Sequence, residues 1–145
     1  MVMPNFIIIG AAKSGTTALY KYIKQHPDVF MSDPKEPFFF ALDGKPIAFH
    51  GPGDQAYAEK EMRNTRATYQ ALFDGVTDET AIGEASIFYL YTPEAADNIK
   101  RYIPDAKMLV MLRNPISRAY SSFTHMMREN REPIHDFADA LADEE

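Results

Sequence analysis

The sequence predicts a three-layer α/β fold, a central parallel sheet flanked by helices. Three observations carry that prediction. Residues 6–9 (Phe-Ile-Ile-Ile) and 107–112 (Lys-Met-Leu-Val-Met-Leu) are short continuous apolar runs, the pattern of strands buried on both faces of a parallel sheet. Each run leads into turn chemistry and then into a helical apolar stripe. Strand-like and helix-like segments also alternate along the whole chain, which favours parallel βαβ connections over a bundle or a sandwich.

The elements follow in order. After the first strand, Gly10 opens a loop, and residues 16–25 place Ala18, Leu19, Tyr22 and Ile23 on one helical face before His26-Pro27 stops it. Strand, glycine loop and helix form the first half of a βαβ unit. Residues 28–31 read as a second short strand. Asp33-Pro34-Lys35-Glu36-Pro37 is loop chemistry, and Phe38, Phe39 and Phe40 after it read as core or pocket wall. Glycine and proline recur through residues 42–54, which predicts an irregular surface loop. Residues 57–73 read as one helix burying Met62, Tyr69, Leu72 and Phe73, stopped by Asp74-Gly75. A short strand is expected over 81–85. Thr92 as cap and Pro93 at the first helical position open a helix to Tyr102. After the second buried strand, Asn114-Pro115 repeats that signature for a helix to about Arg128, with Ile116, Ala119, Tyr120, Phe123 and Met127 as its stripe. Residues 135–145 suggest an amphipathic helix with Phe137, Ala138 and Leu141 on one side.

Composition bounds the chemistry. The chain has 145 residues, enough for one domain or part of a larger one. Its net charge of −6 argues against a nucleic-acid partner, yet leaves room for a local anion site. With no cysteine there is no disulfide framework and no thiolate chemistry. The four histidines, at 26, 50, 125 and 135, show no metal-ligand spacing. The apolar run at 6–9 is too short for a spanning helix and has no basic region before it, so no membrane span and a cytoplasmic location are expected.

Function is read from two loops. Gly10-Ala11-Ala12-Lys13-Ser14-Gly15-Thr16-Thr17 is a P-loop-like segment with its lysine displaced: Thr16 stands where the usual pattern has lysine, and Lys13 lies inside the loop. Small residues let backbone N–H groups curl around an anion, and the helix start adds its positive end. Lys13 supplies a cation and Thr16 and Thr17 supply hydroxyls. The second strong strand ends in Arg113, where a nucleotide triphosphatase commonly carries an aspartate for magnesium. Arginine ligates no cation and matches phosphate bidentately. Ser117 and Ser121 follow one turn apart. Together the loops suggest a ligand with two anionic groups and no metal. On the residues alone, a magnesium-dependent P-loop kinase or triphosphatase stays open, as does a nucleotide-binding module without chemistry.

Lys13-Ser14-Gly15-Thr16-Thr17 resembles the 5′-phosphosulfate loop of the sulfotransferases that use 3′-phosphoadenosine 5′-phosphosulfate (PAPS), and Arg113 with Ser121 resembles their 3′-phosphate site. Further stretches are similar to the heparan-sulfate-type enzymes and their bacterial relatives: Lys35-Glu36-Pro37, Tyr69-Gln70-Ala71-Leu72-Phe73, Gly83-Glu84-Ala85-Ser86 and Leu112-Arg113-Asn114-Pro115. Ala85 departs from the lysine that animal members usually carry after the Gly-Glu pair. The resemblance implies sulfuryl transfer to a small-molecule or glycan acceptor, with adenosine 3′,5′-bisphosphate (PAP) as product and no metal. It implies that Lys13 stabilises the leaving phosphate and that Ser14, Gly15, Thr16, Thr17, Arg113 and Ser121 hold the nucleotide. Glu36 falls at the position of the family's catalytic glutamate, and His50, in a glycine-rich loop, competes with it as base. Family domains are longer, so residues 1–145 are expected to be the N-terminal part of one such domain.

Overall fold

The computed structural model describes residues 2–48 and 54–143. Among them are strands β1 (Phe6–Gly10), β2 (Val29–Met31), β3 (Ala81–Ala85) and β4 (Lys107–Val110), paired in the order β2-β3-β1-β4. All three pairings are parallel, with Phe6 opposite both Gly83 and Lys107. Helices α1 (Thr16–Ile23), α2 (Phe39–Leu42), α3 (Asp54–Glu61), α4 (Arg66–Gln70), α5 (Pro93–Tyr102), α6 (Pro115–Arg128) and α7 (Phe137–Ala142) alternate with the strands.

β1 is the centre of the molecule because its side chains are apolar on both faces. Ile7 joins Phe39, Phe40, Tyr69, Phe73 and Ile99 on one side of the sheet. Phe6 and Ile8 join Tyr20, Met31 and Ala85 on the other. Ile7 and Ile8 are fully buried, worth roughly 1.5–3 kcal/mol each relative to exposure. Phe38, Phe39 and Phe40 are core residues, as their aromatic character implied.

Four expectations are corrected. The single helix over 57–73 is two helices and a 3-10 turn (Ala71–Phe73). The Arg63 N–H bonds to the Pro37 carbonyl, the Gly44 N–H bonds to the Asn64 carbonyl, and Thr65 takes an extended conformation and caps α4 by accepting from the Thr68 N–H. The buried strand expected over 107–112 is β4, which ends at Val110 and is exposed rather than buried: it lies at the sheet edge and pairs only with β1. Thr92 precedes α5 without a side-chain capping bond; Pro93 at the helix start supplies the signal instead. The terminal helix is shorter than expected and is capped by Asp136, and it buries Ala140 while leaving Leu141 half exposed. Asn114 caps α6 as its position implied, accepting from the Ser117 N–H, although no α6 residue is buried.

Candidate active site

The carboxyl ends of β1 and β4 lie side by side, and the two loops leaving them meet. Met111 N–H bonds to the Gly10 carbonyl at 2.8 Å and Ala11 N–H to the Met111 carbonyl at 2.9 Å. Arg113 Nη1 then donates to the Lys13 carbonyl at 3.2 Å. A cleft of about 430 Å³ opens there. Lys13, Gly15, Thr16 and Thr17 line it from the first loop, Arg113, Ser121 and His125 from the second, and Glu36 and Ile87 from the neighbouring connections.

The first loop is built to leave donors unpaired. Gly15 sits at φ 96° in the left-handed region as the residue before α1, and no side chain caps that helix. The first N–H groups of a helix have no intrahelical partner, so this start presents amides and a positive dipole end to an anion. Lys13 also has a positive φ, 60°. Ser14 is buried under the loop, and its Oγ lacks a hydrogen-bond partner among the described residues. A buried hydroxyl without a protein partner beside unpaired amides is a donor set suited to an oxyanion.

Glu36 enters the cleft from the loop after β2. Its N–H bonds to the Ala85 carbonyl at 3.0 Å, its φ is 66°, and its Oε1 is in contact with the Lys35 ammonium. Both side chains of that pair are less than one-fifth exposed. Next to it, Glu84 is fully buried. Its Oε1 accepts from the Tyr69 hydroxyl at 3.2 Å and its Oε2 from Ser86 Oγ at 2.7 Å. Burial pushes this carboxyl up to about 7, against the pull of its hydroxyl partners and of Lys35.

The structure thus brings Lys13, Gly15, Thr16, Thr17, Glu36, Arg113 and Ser121 to one cleft, with Ser14 beneath it. Ser117, one turn before Ser121, does not line it. His50 lies outside the described residues. Sequence reasoning missed His125 in this role. It follows Ser121 by one turn on α6, a spacing that could have found it, and its Nδ1 lies 2.9 Å from Arg128 Nη2. It also missed the Glu84 network, which no local spacing announces. Among the described residues no group of three or more histidine or acidic side chains gathers as a metal site, and none of their helices is long and apolar enough to cross a membrane.

Comparisons with known proteins bear on the family and the fold. A family model described as the Sulfotransferase family matches residues 4–144. A crystal structure of a sulfotransferase from Alicyclobacillus acidocaldarius superposes with a TM-score of 0.87 at 45% identity, over 98% of this chain and 57% of that one. The membrane-associated sulfotransferase kil1 of Dictyostelium discoideum is 29% identical over 97% of this chain. The human heparan sulfate glucosamine 3-O-sulfotransferase 6 is 32% identical over 86% of it. The chain spans only 29% and 31% of the length of those two relatives. With nearly its whole length matched by the family model and its sheet shared with a solved member, the chain belongs to the sulfotransferase family.

Proposed function

We propose that the protein transfers the sulfuryl group of PAPS to an acceptor hydroxyl or amine by in-line displacement, releasing PAP. One observation carries the reading: Lys13 and Arg113, 100 positions apart, are joined by a hydrogen bond at the mouth of a cleft that also holds Glu36 and Ser121. The donor set fits a doubly anionic nucleotide. Lys13, the buried Ser14 hydroxyl and the amides at the start of α1 suit the phosphosulfate end. Arg113 and Ser121 suit the 3′-phosphate.

In this mechanism Glu36 takes the proton from the acceptor as the acceptor atom bonds to sulfur. Lys13 and the loop amides meet the negative charge that builds on the phosphate oxygen as the sulfur–oxygen bond breaks. Lys35 holds the Glu36 carboxylate at the cleft. Glu84 is unsuited to ligating magnesium, because it is fully buried and both its oxygens are bonded to hydroxyls. The acceptor is a small molecule or a glycan, and a cytoplasmic location belongs to the same proposal.

The test is binding followed by turnover. PAP is expected to raise the melting temperature of the protein, and radiolabelled sulfate should pass from PAPS to a member of a panel of alcohols, phenols and glucosaminyl oligosaccharides. No stabilisation by PAP would overturn the nucleotide assignment, and stabilisation with no transfer across the panel would favour a binding module. Glu36→Gln and His50→Ala, compared side by side, identify the base; full turnover in both variants removes both from the role.

A further inference from the structure

We infer that Glu84 is a positioning residue for Glu36: from the end of β3 it fixes, through Ser86, the backbone on which the cleft's carboxylate stands. The inference rests on the reading of Glu36 as the base and adds to it the group that holds the base in place.

The chain of contacts is continuous. The Phe38 N–H donates to Ser86 Oγ at 3.2 Å, and Ser86 Oγ donates to Glu84 Oε2 at 2.7 Å. Tyr69 donates to the other carboxylate oxygen at 3.2 Å, and the Phe40 N–H bonds to the hydroxyl of Tyr89, a further partner of the same carboxylate. The Glu36 N–H meets the carbonyl of Ala85, the residue after Glu84. Residues 36–40 are thereby tied at alternate positions to the end of β3 and to the segment that follows it: Glu36 to Ala85, Phe38 to Ser86 and Phe40 to Tyr89.

They need to be tied, because Glu36 and Phe38 both hold positive φ, 66° and 52°, conformations that non-glycine residues keep only when their surroundings enforce them. Ser86, Glu84 and Phe38 are all essentially excluded from solvent, so water cannot replace a lost bond. A carboxylate is costly in such a place unless its oxygens are satisfied. Here it is satisfied by hydroxyls, and two of them, those of Ser86 and Tyr89, also accept from the backbone N–H groups of Phe38 and Phe40.

Amide hydrogen exchange at Phe38 and the carboxyl 13C signal of Glu36, measured in the full chain, test this. In Glu84→Leu the Phe38 amide is expected to exchange about tenfold faster or more while Ile8 in β1 keeps its rate. The Glu36 carboxyl signal should move, and Glu84→Gln, which keeps the shape and one acceptor, should restore both readouts. A folded Glu84→Leu protein with wild-type values at Phe38 and Glu36 overturns the inference. So does equal acceleration at Phe38 and Ile8, the mark of general destabilisation. Should Glu84→Leu fail to fold, Ser86→Ala removes only the link. Selective acceleration at Phe38 then supports the inference, and an unchanged Phe38 rate defeats it. PAP titrated into the same samples tests the nucleotide reading separately, since its binding does not depend on the Phe38 result.

Discussion

Lys13 and Arg113 meet at the cleft but carry different loads, and substitution should separate them. In the proposed reaction Lys13→Ala would remove a preorganised donor to the leaving group, so kcat is expected to fall on the order of a hundredfold or more, ~3 kcal/mol of barrier, while the fold persists. Arg113→Ala removes the bond to the Lys13 carbonyl and, in the proposed reading, a charged ligand of the second phosphate. PAP affinity should drop by about 1.5–3 kcal/mol, read by calorimetry. A Lys13→Ala protein with turnover near the parent's would dismiss the leaving-group role. Glu84 leaves a thermodynamic signature instead. Its folded carboxyl is raised from 4.5 to about 7, so the folded state binds its proton more tightly than the unfolded chain does. The resulting stabilisation is fully present below pH 4.5 and is lost as pH rises through 7, ~3 kcal/mol at the extreme. The melting temperature of the parent protein, measured against Glu84→Gln, should therefore decline between pH 5 and pH 8. A difference that stays flat or grows over that range contradicts the raised carboxyl.

At the scale of elements, β3 shows how closely the sheet is fitted. A Cβ placed on Gly83 would lie 2.2 Å from Cζ of Phe6, its partner in register across the β1–β3 pair. Phe6 is itself buried against Ile8, Tyr20 and Met31, so its ring cannot simply swing aside. Gly83→Ala is expected to cost about 1–3 kcal/mol or more by overpacking, and Phe6→Leu in the same chain should recover part of that. Denaturant unfolding of the two single variants and the double variant gives the coupling, and additive costs would show that the two positions do not touch. The elements legible in the sequence were those whose signals are local. The β1 apolar run, Pro93 opening α5 and Asn114-Pro115 opening α6 each describe themselves within a few residues. Residues 57–73 did not, because Met62 packs with Phe38 and Ala58 whereas Tyr69 and Phe73 pack with Ile7 and Phe39. A helical spacing of apolar residues is the same whether they face one cluster or two. What breaks the helix is a pair of long-range backbone bonds to Pro37 and Gly44.

Over the whole molecule, the site was legible where consecutive residues build it and illegible where the fold does. The Lys13 loop and Arg113 suggest an anion site by type and neighbourhood, whereas the contacts of Glu84 with Ser86 and Tyr69 exist only once the fold brings β3 and the loop of Glu36 together. The same contrast governs β4 and α6. Their composition promises burial, yet Met108 is 58% exposed, Leu112 79%, Ile116 75% and Tyr120 54%. An edge strand with open backbone groups and apolar side chains is a surface that pairs or aggregates. These 145 residues expressed alone are therefore expected to bind an apolar dye such as ANS in the native baseline and to sediment with concentration-dependent mass. Leu109→Lys with Leu112→Lys, placing charge on that run, should lower both signals while the PAP-induced stabilisation, which uses neither residue, is kept. Where more polypeptide or a second copy covers the face, the parent protein should show little dye binding to begin with. A double variant with dye fluorescence and mass unchanged from a strongly binding parent would show that the association arises from another face.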